Sequence, residues 1–241
     1  MRQILIGAHR GAMGYEPENT LAAFETAIRM GTYRIELDVH RSADGHVVVM
    51  HDTTVDRTTD GSGPIAEQTL AELKALTVGG RERVPTLAET LELVRGRCRL
   101  LVEIKPAGIT DDVVRVIREA GMAADCTISS FDEPSLLRAR ELGLETAYFQ
   151  IRPQPFDARE VVQRLGIRML IGWRAAISAE LLAEAHAAGM HVRCGFGDAL
   201  PYEESYALFR ELADMGAGEI SCGRPDWIAQ FIQRYQGGLR G

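Results

Sequence analysis

Nothing in this chain approaches the roughly 20 consecutive apolar residues that a membrane-crossing helix needs, which excludes a helical span. Basic charge is also in deficit: 27 Lys and Arg face 34 Asp and Glu, a formal net charge of −7. A general nucleic-acid binder would carry a basic face, so the balance argues against one. It leaves room for a local pocket that holds a single phosphate. Cysteine is scarce, and Cys98, Cys126, Cys194 and Cys222 show no C-x-x-C spacing. Each lies in or beside a predicted strand and reads as a small reduced core residue, not as a metal ligand or redox pair. Internal repeats and low-complexity stretches are missing as well. The first strand starts almost at Met1, which leaves no space for a signal peptide ahead of it. The expectation is a cytoplasmic protein with no nucleic-acid partner and no stable membrane insertion.

What the chain does have is alternation. A hydrophobic content of 46% with 25% charged residues is ordinary for a globular protein with a sizeable core. A length of 241 residues suits one α/β barrel. Short β-rich runs fall at residues 4–8, 33–39, 99–104, 126–130, 145–149, 168–171, 191–194 and 219–222. Between them, residues 19–30, 111–119, 134–142, 158–165, 179–188 and 202–215 place apolar side chains at helical spacing, and many of these stretches stop at a glycine. Alternating β and α elements imply a parallel sheet with helices outside it. The expected fold is a TIM-type (β/α)8 barrel, one domain over residues 1–241.

One more β-rich run, residues 47–51, has no helix before it. The preceding Asp44-Gly45 is a hairpin signal. With those two residues as the turn, Ala43 pairs with His46, and Asp38 falls opposite His51. The competing reading makes this run a parallel barrel strand and removes a later segment from the barrel. Residues from about 52 to 85 break the alternation with a turn cluster at 58–64 and a short helical stretch at 70–76. They read as a small cap inserted beside the strand ends.

The ionisable residues gather where strands end, which is where a parallel barrel builds its site. His9-Arg10-Gly11, Glu36-Leu37-Asp38, His51-Asp52 and Glu103-Ile104-Lys105 each follow a strand-like run. Glu36, Asp38 and Glu103 can give three oxygen ligands to one divalent cation, Mg²⁺ or Ca²⁺. Left without a partner, inward-facing carboxylates would be costly. His9 and His51 suit acid/base work because imidazole titrates near neutral pH. Arg10 and Lys105 suit a phosphate. His40, His46, His186 and His191 read as non-catalytic. Asn19 can cap the first helix. Glu18 either orients Arg10 or a histidine, or is a plain helix-start carboxylate.

Taken in order, His9-Arg10-Gly11, Pro17-Glu18-Asn19-Thr20, Glu36-Leu37-Asp38-Val39, Asp44-Gly45, His51-Asp52, Arg57-Thr58-Thr59 and Glu103-Ile104-Lys105 resemble the glycerophosphodiester phosphodiesterase family. Several motifs at compatible separations are far more specific than any one alone. The resemblance implies a barrel of the phosphatidylinositol-phospholipase-C-like type. It also implies hydrolysis of a small-molecule glycerophosphodiester to glycerol 3-phosphate and an alcohol. By that similarity His9 and His51 are the acid/base pair, Glu36, Asp38 and Glu103 bind the cation, and Arg10 and Lys105 contact phosphate. Either the glycerol 2-hydroxyl or water attacks phosphorus.

The late strands depart from the pattern. Where members commonly carry Trp-Thr-Val-Asn, this chain has Arg193-Cys194-Gly195-Phe196. Where they show Thr-Asp-x-Pro, it reads Ser221-Cys222-Gly223-Arg224-Pro225. Phe131, Phe149, Trp173 or Phe196 can replace the missing apolar wall, although core packing is the simpler role for each. Two other readings use the same residues: a lysophospholipase D, and a phosphodiester-binding protein without turnover.

Overall fold

The computed structural model describes residues 3–150, 156–197 and 199–238. The chain begins with β1 (Leu5–Ala8), α1 (Leu21–Arg29), β2 (Arg34–Arg41) and β3 (Val47–Val49). Next come α2 (Leu70–Ala75), β4 (Thr77–Val78), β5 (Glu82–Arg83) and α3 (Leu87–Val94). The alternation resumes with β6 (Arg99–Ile104), α4 (Thr110–Glu119), β7 (Cys126–Ser129), α5 (Glu133–Glu141) and β8 (Glu145–Gln150). It ends with α6 (Ala158–Glu160, continued by a π turn), β9 (Met169–Trp173), α7 (Ala179–Ala187), β10 (His191–Gly195), α8 (Tyr202–Asp214), β11 (Glu219–Cys222) and α9 (Pro225–Gly238).

Parallel pairing joins β1, β2, β6, β7, β8, β9, β10 and β11 into a ring that closes through β11 and β1. This is the expected TIM-type (β/α)8 barrel. The seam between β1 and β2 is short, with only Gly7↔Arg34 and Ala8↔Ile35 in register. Helix α3 had escaped the reading of apolar spacing, yet its start carries a local signal. Thr86 and Glu89 form a reciprocal capping box.

Strand alternation decides what faces inward. Ile35, Leu37 and Val39 of β2 and Leu100, Val102 and Ile104 of β6 pack outward in one layer with Phe24, Leu91 and Val113 from the helices. Arg34, Glu36, Asp38, Leu101 and Glu103 therefore point into the barrel. Inside, β6, β8 and β9 supply an apolar group of Leu101, Ala147, Met169 and Ile171, with Phe149 against it. Buried charge comes from β2, β6, β10 and β11.

The hairpin reading of residues 47–51 holds, but its register shifts by one. β3 pairs antiparallel with β2 as Val39↔Val49, His40↔Val48 and Arg41↔Val47. Ser42 N–H donates to His46 O at 2.9 Å, so the loop has three residues, and Gly45 takes the left-handed conformation at φ 85°. A three-residue loop of this kind needs glycine at that last position. Asp44 is held away from a two-residue turn because its carboxylate accepts from Ser42 Oγ at 2.6 Å and from Leu70 N–H at 2.9 Å. Asp38 consequently stands opposite Met50, whose N–H donates to Asp38 O at 3.0 Å, and not opposite His51. A one-residue slip exchanges the two faces of a strand.

The same strand forms one wall of a second apolar cluster: Val48 and Met50 join Val55, Ile65, Leu73, Val78 and Val84. All but Val48 and Met50 come from the stretch between β3 and α3, so that stretch is anchored beside the strand ends. The cysteines form no disulfide. Among the described residues no helix is long and apolar enough to cross a membrane.

Candidate active site

Three carboxylates meet in the barrel mouth. Asp38 and Glu103 are register partners on adjacent strands, and Glu36 lies two residues below Asp38 on the same face. One oxygen from each of Glu36, Asp38 and Glu103 lies within 4.8 Å of the others, and all three residues are buried. Burial is the main force raising the Glu36 pKa, followed by the neighbouring Asp38 charge. Burial and the Asp38 and Glu36 charges together push Glu103 up to about 7. Crowded carboxylates in a dry site take up protons unless a cation compensates them. Asp38 Oδ1 is buried and accepts no hydrogen bond. An all-oxygen set with a spare acceptor fits a hard divalent cation such as Mg²⁺ or Ca²⁺.

Arg10 and Lys105 lie against these acids. Lys105 Nζ donates to Glu103 Oε1 at 2.7 Å and lies 3.4 Å from Asp38 Oδ1. Arg10 Nε lies 3.5 Å from Asp38 Oδ2, and Arg10 Nη1 donates to Glu18 Oε1 at 2.9 Å. The Arg10 backbone N–H donates to Glu36 Oε2 at 2.9 Å. Arg10 (φ 52°) and Asn19 (φ 57°) are the non-glycine residues with positive φ among those described. Such conformations cost about 1–3 kcal/mol each and persist where the surroundings impose them, often at functional sites.

Asn19 does not cap α1. Thr20 does so, its Oγ1 accepting from Ala23 N–H at 3.2 Å. Asn19 instead turns inward, where its Nδ2 donates to Asp38 Oδ2 at 2.9 Å. The loop from Arg10 to Asn19 is closed by Asn19 N–H donating to Arg10 O at 3.1 Å, and Asn19 leaves it with a positive φ of 57°. Its place in the Pro17–Thr20 motif was the available signal.

His51 is linked to the acids by a relay of ion pairs. Its Nδ1 bonds Asp52 Oδ1 at 2.6 Å, and Arg57 Nε donates to Asp52 Oδ2 at 2.6 Å. Arg57 also grips both oxygens of Glu18, at 2.7 and 2.9 Å, and Glu18 in turn holds Arg10. The Arg57 hydrogen bond, above all, holds the Asp52 carboxyl below the usual carboxylate range. Burial pulls Glu18 up, but Arg57 and Arg10 outweigh it and leave its pKa lowered. An ionised Asp52 only accepts, so Nδ1 carries the His51 proton and Nε2 is left as the acceptor nitrogen of the neutral ring. His40, read as non-catalytic, braces this histidine: its Nε2 lies 3.2 Å from His51 O. Arg57 and Asp52 stand in the sequence motifs, but only folding reveals that they share Glu18 and His51.

His9 follows β1 on the other side of the seam. Its Nε2 lies 4.0 Å from Glu36 Oε2, and its ring meets the Trp173 indole edge-on at 5.1 Å. A Cβ built on Gly195 would lie 3.4 Å from Trp173, at ordinary contact distance, so the indole packs over the end of β10. The aromatic ring beside His9 thus comes from β9. Arg193 does not face the mouth. It lies buried below, pairs with Glu219 and donates to Ala8 O at 3.0 Å. Phe196 is 2% exposed and belongs to the outer core. Ser129, register partner of Glu103, has a buried Oγ without a hydrogen bond and was missed because serine alone carries no sequence signal.

The fold and this mouth define a class: a (β/α)8 barrel with an antiparallel hairpin strand, three clustered carboxylates and histidines at the strand ends. The chain belongs to the glycerophosphoryl diester phosphodiesterase family, whose model matches residues 9–194. A glycerophosphodiester phosphodiesterase from Caldanaerobacter subterraneus subsp. tengcongensis is 41% identical over 151 residues, which cover 57% of this chain and 62% of that protein. One from Bacillus subtilis is 32% identical over 165 residues, 58% of this chain and 56% of that one. The matched region thus spans about 60% of these curated relatives. Among solved structures, a glycerophosphodiester phosphodiesterase from Agrobacterium tumefaciens superposes with a TM-score of 0.83 at 29% identity, over 95% of this chain and 100% of that one. A phosphodiesterase from Oleispira antarctica, in complex with its product sn-glycerol-3-phosphate, gives 0.84 at 28% identity, over 96% and 97%.

Proposed function

We propose that this protein hydrolyses glycerophosphodiesters to glycerol 3-phosphate and an alcohol, with a divalent cation held by Glu36, Asp38 and Glu103. The observation that carries the reading is the buried carboxylate triad, with oxygens within 4.8 Å of one another, in a mouth that also holds His9, His51, Arg10 and Lys105. Family membership and the product complex of the Oleispira antarctica relative support it. A bound cation supplies Lewis-acid stabilisation of the phosphate oxygens and lowers the pKa of a coordinated hydroxyl.

The chain's own residues do the rest. Arg10 and Lys105, now paired to the acids, have their hold loosened once those acids are charge-compensated, and present their donors to the phosphate oxygens. His51, with Nδ1 fixed on Asp52 at 2.6 Å, offers Nε2 for proton exchange. His9 is the second proton carrier. One removes a proton from the attacking hydroxyl or water while the other protonates the departing alkoxide. One P–O bond forms and one breaks, with water consumed overall.

The test is release of glycerol 3-phosphate from glycerophosphocholine and glycerophosphoethanolamine by metal-stripped protein, with Mg²⁺, Ca²⁺ or Mn²⁺ restored in turn. Cation-dependent release is expected. No release from folded protein under any of these conditions overturns the reading.

A further inference from the structure

The barrel mouth has two unlike halves. β1, β2 and β6 bring His9, Arg10, Glu36, Asp38, Glu103 and Lys105. Two residues past Ser129, as Lys105 is two past Glu103, Phe131 follows just beyond the end of β7. Its place is set by Glu103↔Ser129 register and by Ser130 Oγ donating to Ile104 O at 2.8 Å. Phe131 stacks on Phe149 of β8, with centroids 4.5 Å apart and planes 13° from parallel. Phe149 pairs in register with Ile171, two residues before Trp173, and Trp173 closes the arc against His9 at 5.1 Å. Aromatic side chains at the ends of β7, β8 and β9 thus stand on the side of the mouth away from β2, with Trp173 against His9. Phe131 is 60% exposed, more than any other large apolar side chain among the described residues. A stacked phenyl left this open loses apolar burial that a bound group can restore.

We infer that this half of the mouth receives the alcohol of the diester and selects one with an uncharged alkyl chain, Phe131 being its principal specificity determinant. The inference rests on the proposed phosphodiesterase reading. The polar half, where Glu18, Asp52, Arg57 and His51 offer hydrogen bonds, suits the glycerol hydroxyls. The shape of the aromatic side separates alkyl from onium ligands. Cation–π recognition of a quaternary ammonium uses several ring faces converging on one point. Here Phe131 and Phe149 close a face of each other, so the pair presents a one-sided apolar surface that a chain can lie along. Lys105, at the equivalent place past β6, also disfavours a cationic head group.

The test is a series of n-alkyl esters of glycerol 3-phosphate, from methyl to hexyl, with glycerophosphocholine and its neutral isostere, the 3,3-dimethylbutyl ester. We expect kcat/KM to rise about two- to fourfold per methylene over the first carbons, and the neutral isostere to match or exceed the choline ester. Phe131→Ser should flatten the hexyl-to-methyl ratio, and Phe131→Trp should keep it. Since Phe131 is mostly exposed, neither change threatens folding, which melting curves verify. Turnover without chain-length dependence overturns the inference alone, as does a choline ester preferred over its isostere. So does a chain-length effect found only when the chain is carried on the glycerol, as in 1-O-alkylglycerophosphocholines. No turnover of any ester overturns the phosphodiesterase reading and this inference with it.

Discussion

Two groups of buried charge occupy the barrel interior, one above the other, and their carboxylates behave oppositely. In the lower group Glu219 is fully buried, yet Arg193, His191 and Arg34 more than offset its burial and bring its pKa down to about 2. Arg34 Nε lies 3.4 Å from Glu219 Oε2, and Arg193 meets the other oxygen. Gly7 leaves the space for this arrangement, since a Cβ there would come within 2.8 Å of Arg193 Nη1. In the upper group three acids share Lys105 and Arg10, and Glu103 rises to about 7. Similar burial with unequal compensation separates a satisfied structural ion cluster from a site short of positive charge. Arg193 also ties β10 to the narrow seam, donating to Ala8 O just before His9.

Removing the working groups of the upper site should have the largest effect. His51→Ala is expected to lower kcat for glycerol 3-phosphate release about 10²- to 10⁴-fold while the melting temperature changes little. An unchanged rate would remove His51 from the chemistry. In the lower group, Glu219→Ala strands two buried guanidiniums and should cost about 3–5 kcal/mol in urea unfolding. Glu103→Gln in cation-free protein should cost nothing or stabilise, because it removes a surplus charge. Equal destabilisation by both would erase the distinction.

The pH dependence should also differ in sign. Glu219 ionises near 2 when folded and near its ordinary 4.5 when unfolded. Its contribution is therefore complete above about 4.5 and disappears as pH falls towards 2. Glu103 keeps a proton up to about 7 that the unfolded chain gives up near 4.5. Metal-free protein should accordingly lose stability as pH rises from 4.5 to 7, and saturating Mg²⁺ or Ca²⁺ should diminish that slope. Calorimetric melting against pH, with and without cation, checks both. Smallest is the effect of Asn19→Ala, which frees Asp38 Oδ2 and should weaken cation affinity about 10- to 100-fold, read by Mn²⁺ titration.

Much of this was legible beforehand because barrels obey periodic rules. Alternation located the eight strands, and the strand-end position of His9, Glu36, Asp38, Glu103 and Lys105 follows from the parallel topology. The hairpin register differs from the two-residue expectation because Asp44-Gly45 marks a turn without specifying its length. The hydrogen bonds of Asp44 to Ser42 and Leu70 settle that, and Leu70 is 26 residues away. The place of Asn19 is not legible in the sequence, because an amide near a helix start serves equally as a cap or as an inward partner of a carboxylate.

Local quantities were already written in the chain: strand period, helix spacing, the residue types at strand ends, and hence the barrel and the composition of its mouth. Pairings across long separations arise only once the barrel has closed. Examples are Arg57 with Glu18, Trp173 with His9, Phe131 with Phe149, and Arg193 with Glu219. Periodicity follows from the backbone geometry of each segment. Such contacts depend instead on how the ring closes and on which side chains its interior brings within reach.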